Sequence, residues 1–237
     1  MRPLLIVKSG RTLPELARRR GDYEHWISAG MGLEPARIRI VHVYENAPLP
    51  GPDAFAGVVV TGSSAMVSHR ESWSERTAAW LADAVHAGTP VLGICYGHQL
   101  LAHGLGGRVG RNPRGREIGT VEVTLSGAAR GDPLFGELPE RVQVQATHVE
   151  AVLDLPAGAR LLASSGGDPH QAFAVCDRAW GVQFHPEFDA DVVCSYLDAR
   201  RDLLLAEGID PEALRRAASD SPHGTALLRR FARLLRD

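Results

Sequence analysis

The residues best suited to chemistry lie in two short stretches. The first is Pro90-Val91-Leu92-Gly93-Ile94-Cys95-Tyr96-Gly97-His98-Gln99. An apolar run that reads as a buried strand ends at Ile94, and a helix is expected to start directly after Cys95. A turn that sharp holds its side chain above the edge of a sheet, as in the nucleophile elbow of serine hydrolases. Gly93 and Gly97 flank the cysteine and let strand and helix approach closely. The first N–H groups of the new helix lack intrahelical acceptors and carry partial positive charge. That environment favours the thiolate, the nucleophilic form of cysteine. The backbone N–H of Tyr96 is placed to stabilise an oxyanion.

A thiolate that attacks an amide needs a proton donor for the departing nitrogen, and histidine titrates in the right range. Of ten histidines, His185 stands out in Gln183-Phe184-His185-Pro186-Glu187-Phe188. Residues i and i+2 of an extended chain project to the same side, and Pro186 favours extended backbone at His185. Glu187 is therefore placed to orient the imidazole, as the third member of a triad does. Taken alone, a His-x-Glu pair also describes a surface ion pair. No His-Glu-x-x-His or clustered Cys/His spacing suggests a metal, and no metal or cofactor is expected. The other cysteines, Cys176 and Cys194, sit in apolar or amphipathic runs and read as buried, inert thiols.

These groups need a scaffold. Leu4 to Val7, Ile38 to Val43, Gly57 to Val60 and Val91 to Ile94 are short apolar runs typical of parallel strands covered on both faces. Between the last two, Ser72-Trp73-Ser74-Glu75 has the pattern of a capping box. Trp73, Thr77, Trp80, Leu81, Ala84 and Val85 then recur on one helical face, and Gly88 and Pro90 end the helix. Thr120 to Leu125 and Val142 to Ala146 alternate like antiparallel strands, with further strands at Phe173 to Cys176 and Gly181 to Phe184. The apolar stripe Val192, Val193, Tyr196, Leu197, Leu203 and Leu204 begins a helical extension over about residues 189–237. Asp210-Pro211 opens a helix, and Leu227, Leu228, Phe231, Leu234 and Leu235 mark a last one. The order predicts an α/β fold: a mostly parallel central sheet flanked by helices, a smaller antiparallel sheet and the extension. With no repeat or obvious linker, residues 1–237 read as one domain.

Composition narrows the partners. The chain carries 26 Lys+Arg against 28 Asp+Glu, a balance that argues for neither nucleic acid nor an anionic membrane. The apolar run near the N-terminus is too short for a secretory signal, and three unpaired cysteines suit a reducing compartment, so a cytoplasmic protein is expected.

Gly93-Ile94-Cys95-Tyr96-Gly97-His98-Gln99 and His185-Pro186-Glu187 together resemble the class I, triad-type glutamine amidotransferases. Gly107-Arg108-Val109, Arg116-Glu117-Ile118-Gly119 and Thr147-His148-Val149-Glu150 resemble the amidotransferase domain of GMP synthases. Gly21-Asp22-Tyr23-Glu24-His25-Trp26 looks like free-standing relatives of that domain. The resemblance implies hydrolysis of the glutamine side-chain amide through a thioester on Cys95, with His185 moving protons and Glu187 orienting it. It implies an oxyanion hole from the backbone N–H groups of Gly62 and Tyr96, and glutamine held by Gln99, Thr147, His148 and Val149.

Val149 is a departure, because the family often carries glycine there. No residues remain for an ATP-pyrophosphatase domain and no P-loop pattern is present, so this chain is not expected to make GMP by itself. Its expected partners are a small-molecule substrate, glutamine or a γ-glutamyl compound, and an acceptor or synthetase subunit. The competing readings are a γ-glutamyl hydrolase or transferase acting on another conjugate, and a regulatory module that kept the fold without the reaction.

Overall fold

The computed structural model describes residues 2–235. Strands β1 (Leu4–Lys8), β2 (Ile38–His42), β3 (Gly57–Val60) and β4 (Val91–Ile94) alternate with α1 (Pro14–Arg20), α2 (Tyr23–Met31) and α3 (Ser72–His86). Helix α4 (Tyr96–Gly104) follows, then β5 (Arg108–Arg111), β6 (Glu117–Leu125), β7 (Arg141–His148), β8 (Glu150–Asp154), β9 (Arg160–Ser164), β10 (Ala172–Val175) and β11 (Ala179–Val182). The chain closes with α5 (Ala190–Ala199), α6 (Arg201–Ala206), α7 (Pro211–Ala217) and α8 (Pro222–Leu234). None of the described helices is long and apolar enough to cross a membrane.

One nine-stranded sheet has the order β2-β1-β3-β4-β11-β10-β9-β6-β7. The half from β2 to β11 is parallel, and β10, β9, β6 and β7 continue it antiparallel. The continuous aliphatic runs of β1, β3 and β4 are buried on both faces, as their sequences require. Strand β2 differs because it forms the edge, where Arg39 and Ile40 are exposed. The antiparallel pair expected at Thr120 to Leu125 and Val142 to Ala146 is present as β6 and β7, but it extends the main sheet. The separate small sheet is the antiparallel pair β5 and β8.

Helix α3 buries the expected face through Trp73, Thr77, Leu81 and Ala84. Its capping box does not form. Ser72 is already helical, the N-cap residue is Glu71 with no side-chain cap, and Glu75 turns instead to Arg70 and His103 at 2.8 and 3.0 Å. Those two side chains take the carboxylate in place of the backbone. Asp210 does cap α7, accepting from the N–H groups of Glu212 and Ala213.

The helical extension folds back over the sheet. Leu197 and Leu204 pack with Ile118 of β6, while Leu227, Leu228 and Phe231 of α8 join the main core. Gly30 of α2 admits α8 closely, since a Cβ there would lie 2.5 Å from Leu228 Cδ1. Arg20 pairs with Asp189 and Asp191, and Arg116 pairs with Glu207 through two bonds of 2.8 and 3.1 Å. These ties fix the junction of α5 and α6 beside the carboxyl ends of the parallel strands, where α/β sheets place their ligands.

Candidate active site

Cys95 stands between β4 and α4 with φ 51° and ψ −99°, a strained backbone for a non-glycine residue. Close packing enforces the turn. A Cβ on Gly93 would lie 2.4 Å from the carbonyl oxygen of Gly97, and one on Gly97 would lie 2.5 Å from that of Val60. Both glycines are thus needed for β3, β4 and α4 to meet. Tyr96 is the first helical residue, so its N–H has no intrahelical acceptor.

His185 follows β11 and is tied to the far edge of the sheet, because its N–H donates to the carbonyl of Gln145 in β7 at 2.8 Å. Thr147, two residues further along β7, lines the same cavity as His185. His185 Nδ1 lies 2.8 Å from Glu187 Oε1, and both side chains are almost wholly buried. The ring stacks on Phe188, with centroids 4.0 Å apart, and Phe188 stacks in turn on Tyr23 and Tyr196. Burial opposes protonation of His185, yet the negative charge of Glu187, the neighbouring Cys95 and the hydrogen bond to Glu187 lift its pKa from 6.5 to about 10. Gly62 faces the same ring, and a Cβ there would lie 2.8 Å from His185 Cε1.

The Asp22-Tyr23-Glu24 segment has a structural explanation. Asp22 and Glu24 both grip the buried ammonium of Lys8 at the end of β1, at 2.7 and 2.6 Å. Asp22 also caps α2 in a reciprocal arrangement with His25. Next to Lys8, the N–H of Ser9 donates to Thr61 Oγ1, whose hydroxyl donates to the Gly62 carbonyl. The cluster therefore anchors Tyr23 against Phe188 and steadies the loop of Gly62.

Two cavities adjoin the cysteine and the histidine. One, of about 230 Å³, is lined by Cys95, Tyr96, Gln99 and the stretch Thr147 to Glu150, with Arg116 and Arg200. The other, of about 180 Å³, is lined by His185, Thr12, Tyr23 and Tyr196, with Arg11 and Arg200. Ser63, Ser64 and Thr147 border both. Thr147 Oγ1 is buried and has no hydrogen-bond partner among the described residues, so it is available to a ligand.

The other expected substrate contacts are more committed. Gln99 is buried, and its Nε2 donates to the Glu150 carbonyl and to Gln183 Oε1 at 2.8 and 3.0 Å. Gln183 Nε2 in turn reaches Cys95 Sγ at 3.5 Å. The ring nitrogens of His148 face the Glu150 carbonyl and Glu117 Oε2 at 3.0 and 2.9 Å. Glu117 is buried, which alone would raise its pKa, but hydrogen bonds from His148 and Ser165 hold it below the usual carboxylate range. Val149 lines the cavity, and its carbonyl accepts from Asn112 N–H.

Two expectations about thiols are corrected. Cys176 is exposed and Cys194 is partly exposed. Cys176 sits past the end of β10 in the turn to β11, with φ 53°, so the apolar run before it does not carry it into the core. Leu203, expected on the buried stripe, is 46% exposed at the rim of the larger cavity, because the helix breaks at Arg200 and changes phase.

The family model "Glutamine amidotransferase class-I" matches residues 23–193, and the chain belongs to that family. A GMP synthase (glutamine-hydrolysing) of Aeropyrum pernix is 40% identical over 175 residues, 70% of this chain and 31% of that protein. The chain thus matches about a third of the length of that relative. A Saccharomyces cerevisiae protein carrying a glutamine amidotransferase name is 35% identical over 183 residues, 73% of this chain and 71% of that one. Gamma-glutamyl peptidase 3 of Arabidopsis thaliana is 29% identical over 160 residues, 65% of this chain and 64% of its own. A crystal structure of a Thermotoga maritima glutamine amidotransferase superposes over the whole of both chains with TM-score 0.79 at 23% identity, a likeness of fold.

Proposed function

We propose that the protein hydrolyses the side-chain amide of glutamine or of a related γ-glutamyl compound through a thioester on Cys95. The observation that carries this reading is the elbow thiol interacting electrostatically with a buried His185 that Glu187 holds at 2.8 Å. The Cys95 thiolate attacks the γ-carbonyl carbon, and the oxyanion that forms is met by the N–H groups of Tyr96 and Gly62. The carbon–nitrogen bond then breaks, and the His185 imidazolium gives its proton to the departing nitrogen. Next, His185 takes a proton from water as the hydroxide adds to the thioester. Glutamate leaves and the thiol is restored. Glu187 holds the imidazole orientation throughout and stabilises its charge.

The departing amine leaves on the side of His185, where the cavity of about 180 Å³ lies. Ammonia occupies about the volume of one water, roughly 30 Å³. That spare room supports a second reading, in which the departing group is a larger amine. Purified protein incubated with glutamine and with γ-glutamyl amides of increasing size tests both. Glutamate release that disappears in Cys95→Ala supports the thioester route, and the preferred amine ranks the two substrates. Wild-type turnover retained by Cys95→Ala overturns it.

A further inference from the structure

The helical extension contributes a cation to the site. Arg200 joins α5 to α6 and lies beyond the family match, which ends at residue 193. It borders both cavities. Its guanidinium lies over the ring of Tyr196, 4.7 Å from the centroid. Nη1 is buried and has no hydrogen-bond partner among the described residues. The neighbouring cations differ. Arg116 is held by both oxygens of Glu207, and Arg11 is engaged by Tyr44 and Glu45. Burial lowers the pKa of Arg200, partly offset by Tyr196 and Tyr23.

A buried guanidinium donor with nothing to bind is costly unless a ligand completes it. A planar fork of this kind matches a carboxylate. The cavity around Cys95 also holds the acid Glu150, so it offers both charges to a zwitterionic amino-acid end. We propose that Arg200 anchors a carboxylate of the substrate, making the extension part of the binding site. The inference rests on the γ-glutamyl reading above. Two carboxylates have the right chemistry: the α-carboxylate of the γ-glutamyl group, and a carboxylate on the departing amine.

The test measures protection of Cys95 from iodoacetamide, read by mass spectrometry, with exposed Cys176 as internal control. The ligands are glutamine, glutamine α-amide and γ-glutamylglycine. Wild-type protein is protected by glutamine or γ-glutamylglycine. Arg200→Gln raises the protecting concentration about 10- to 100-fold, the effect of losing a charged hydrogen bond. Arg200→Lys recovers part of it, and protection in each variant is read against that variant's own unprotected alkylation rate of Cys95. A shift with both acids, together with weak protection by the α-amide that ignores Arg200→Gln, assigns the α-carboxylate. A shift with γ-glutamylglycine alone assigns the departing amine. Equal protecting concentrations in wild type and Arg200→Gln overturn the role of Arg200 and leave the thioester reading intact. Failure of all three ligands to protect the wild type overturns both.

Discussion

Replacing Glu187 by glutamine isolates the electrostatic part of the site. The side chain keeps its size and an oxygen that accepts from Nδ1 across 2.8 Å, so the imidazole orientation is retained. What disappears is a negative charge in a buried place. An opposite charge at such range shifts a pKa by about 1–3 units. At about 1.36 kcal/mol per unit, the imidazolium loses about 1.4–4 kcal/mol of stabilisation. If the step in which His185 takes a proton from water limits turnover, the imidazolium forms in the transition state and kcat falls about 10- to 1000-fold. NMR titration of the His185 ring reads the cause directly. In the wild type the ring stays protonated from its ordinary 6.5 up to about 10, and in Glu187→Gln the midpoint drops. The sign extends to stability. A histidine raised on folding contributes stability that is fully present below pH 6.5 and is lost as pH rises through about 10. Wild-type protein therefore loses more stability than the variant across that window. An unchanged His185 midpoint in Glu187→Gln would refute the assignment of Glu187 as the charge that holds the imidazolium.

Other outcomes follow from the same geometry. Gly97→Ala forces a Cβ to 2.5 Å from a backbone oxygen, and chemical denaturation should show a loss of about 1–3 kcal/mol together with reduced activity. Lys8→Met leaves Asp22 and Glu24 buried without their cation, and should cost about 3–5 kcal/mol of unfolding free energy by the same method. A stability equal to the wild type would show that the cluster does not hold α2 to β1. Cys95→Ala and His185→Ala should each abolish glutamate release. The double variant should be no worse than the worse single one, since the two groups act as a unit, and additive losses in steady-state kinetics would contradict that coupling.

Much of the fold was legible because local signals and burial agreed. The runs Gly57 to Val60 and Val91 to Ile94 are strands β3 and β4 to the residue, and Asp210-Pro211 opens α7 as its capping chemistry requires. The elbow was legible for the same reason, since Gly93 and Gly97 serve a close approach that other residues would block. Failures arose where a partner distant in sequence decided the outcome. Glu75 has a capping pattern, but Arg70 and His103 take its carboxylate. Gln99 and His148 line the cavity, while their polar atoms are drawn to Gln183, Glu150 and Glu117. Lys8 ends an apolar run with nothing local to announce two acid partners more than a dozen residues on. Arg200 carried no motif at all. Its place depends on a helix break and on packing of the extension over β6, which no short-range pattern encodes.

Every step proposed for the site requires that Cys95 carry the acyl group. Rapid acid quenching of the protein during turnover of glutamine or a γ-glutamyl amide, followed by peptide mass spectrometry, tests it most directly. A γ-glutamyl adduct is expected on the peptide containing Cys95, absent from those containing Cys176 and Cys194 and lost in Cys95→Ala. An adduct on either other cysteine, or continued turnover by Cys95→Ala with no adduct at all, would contradict it.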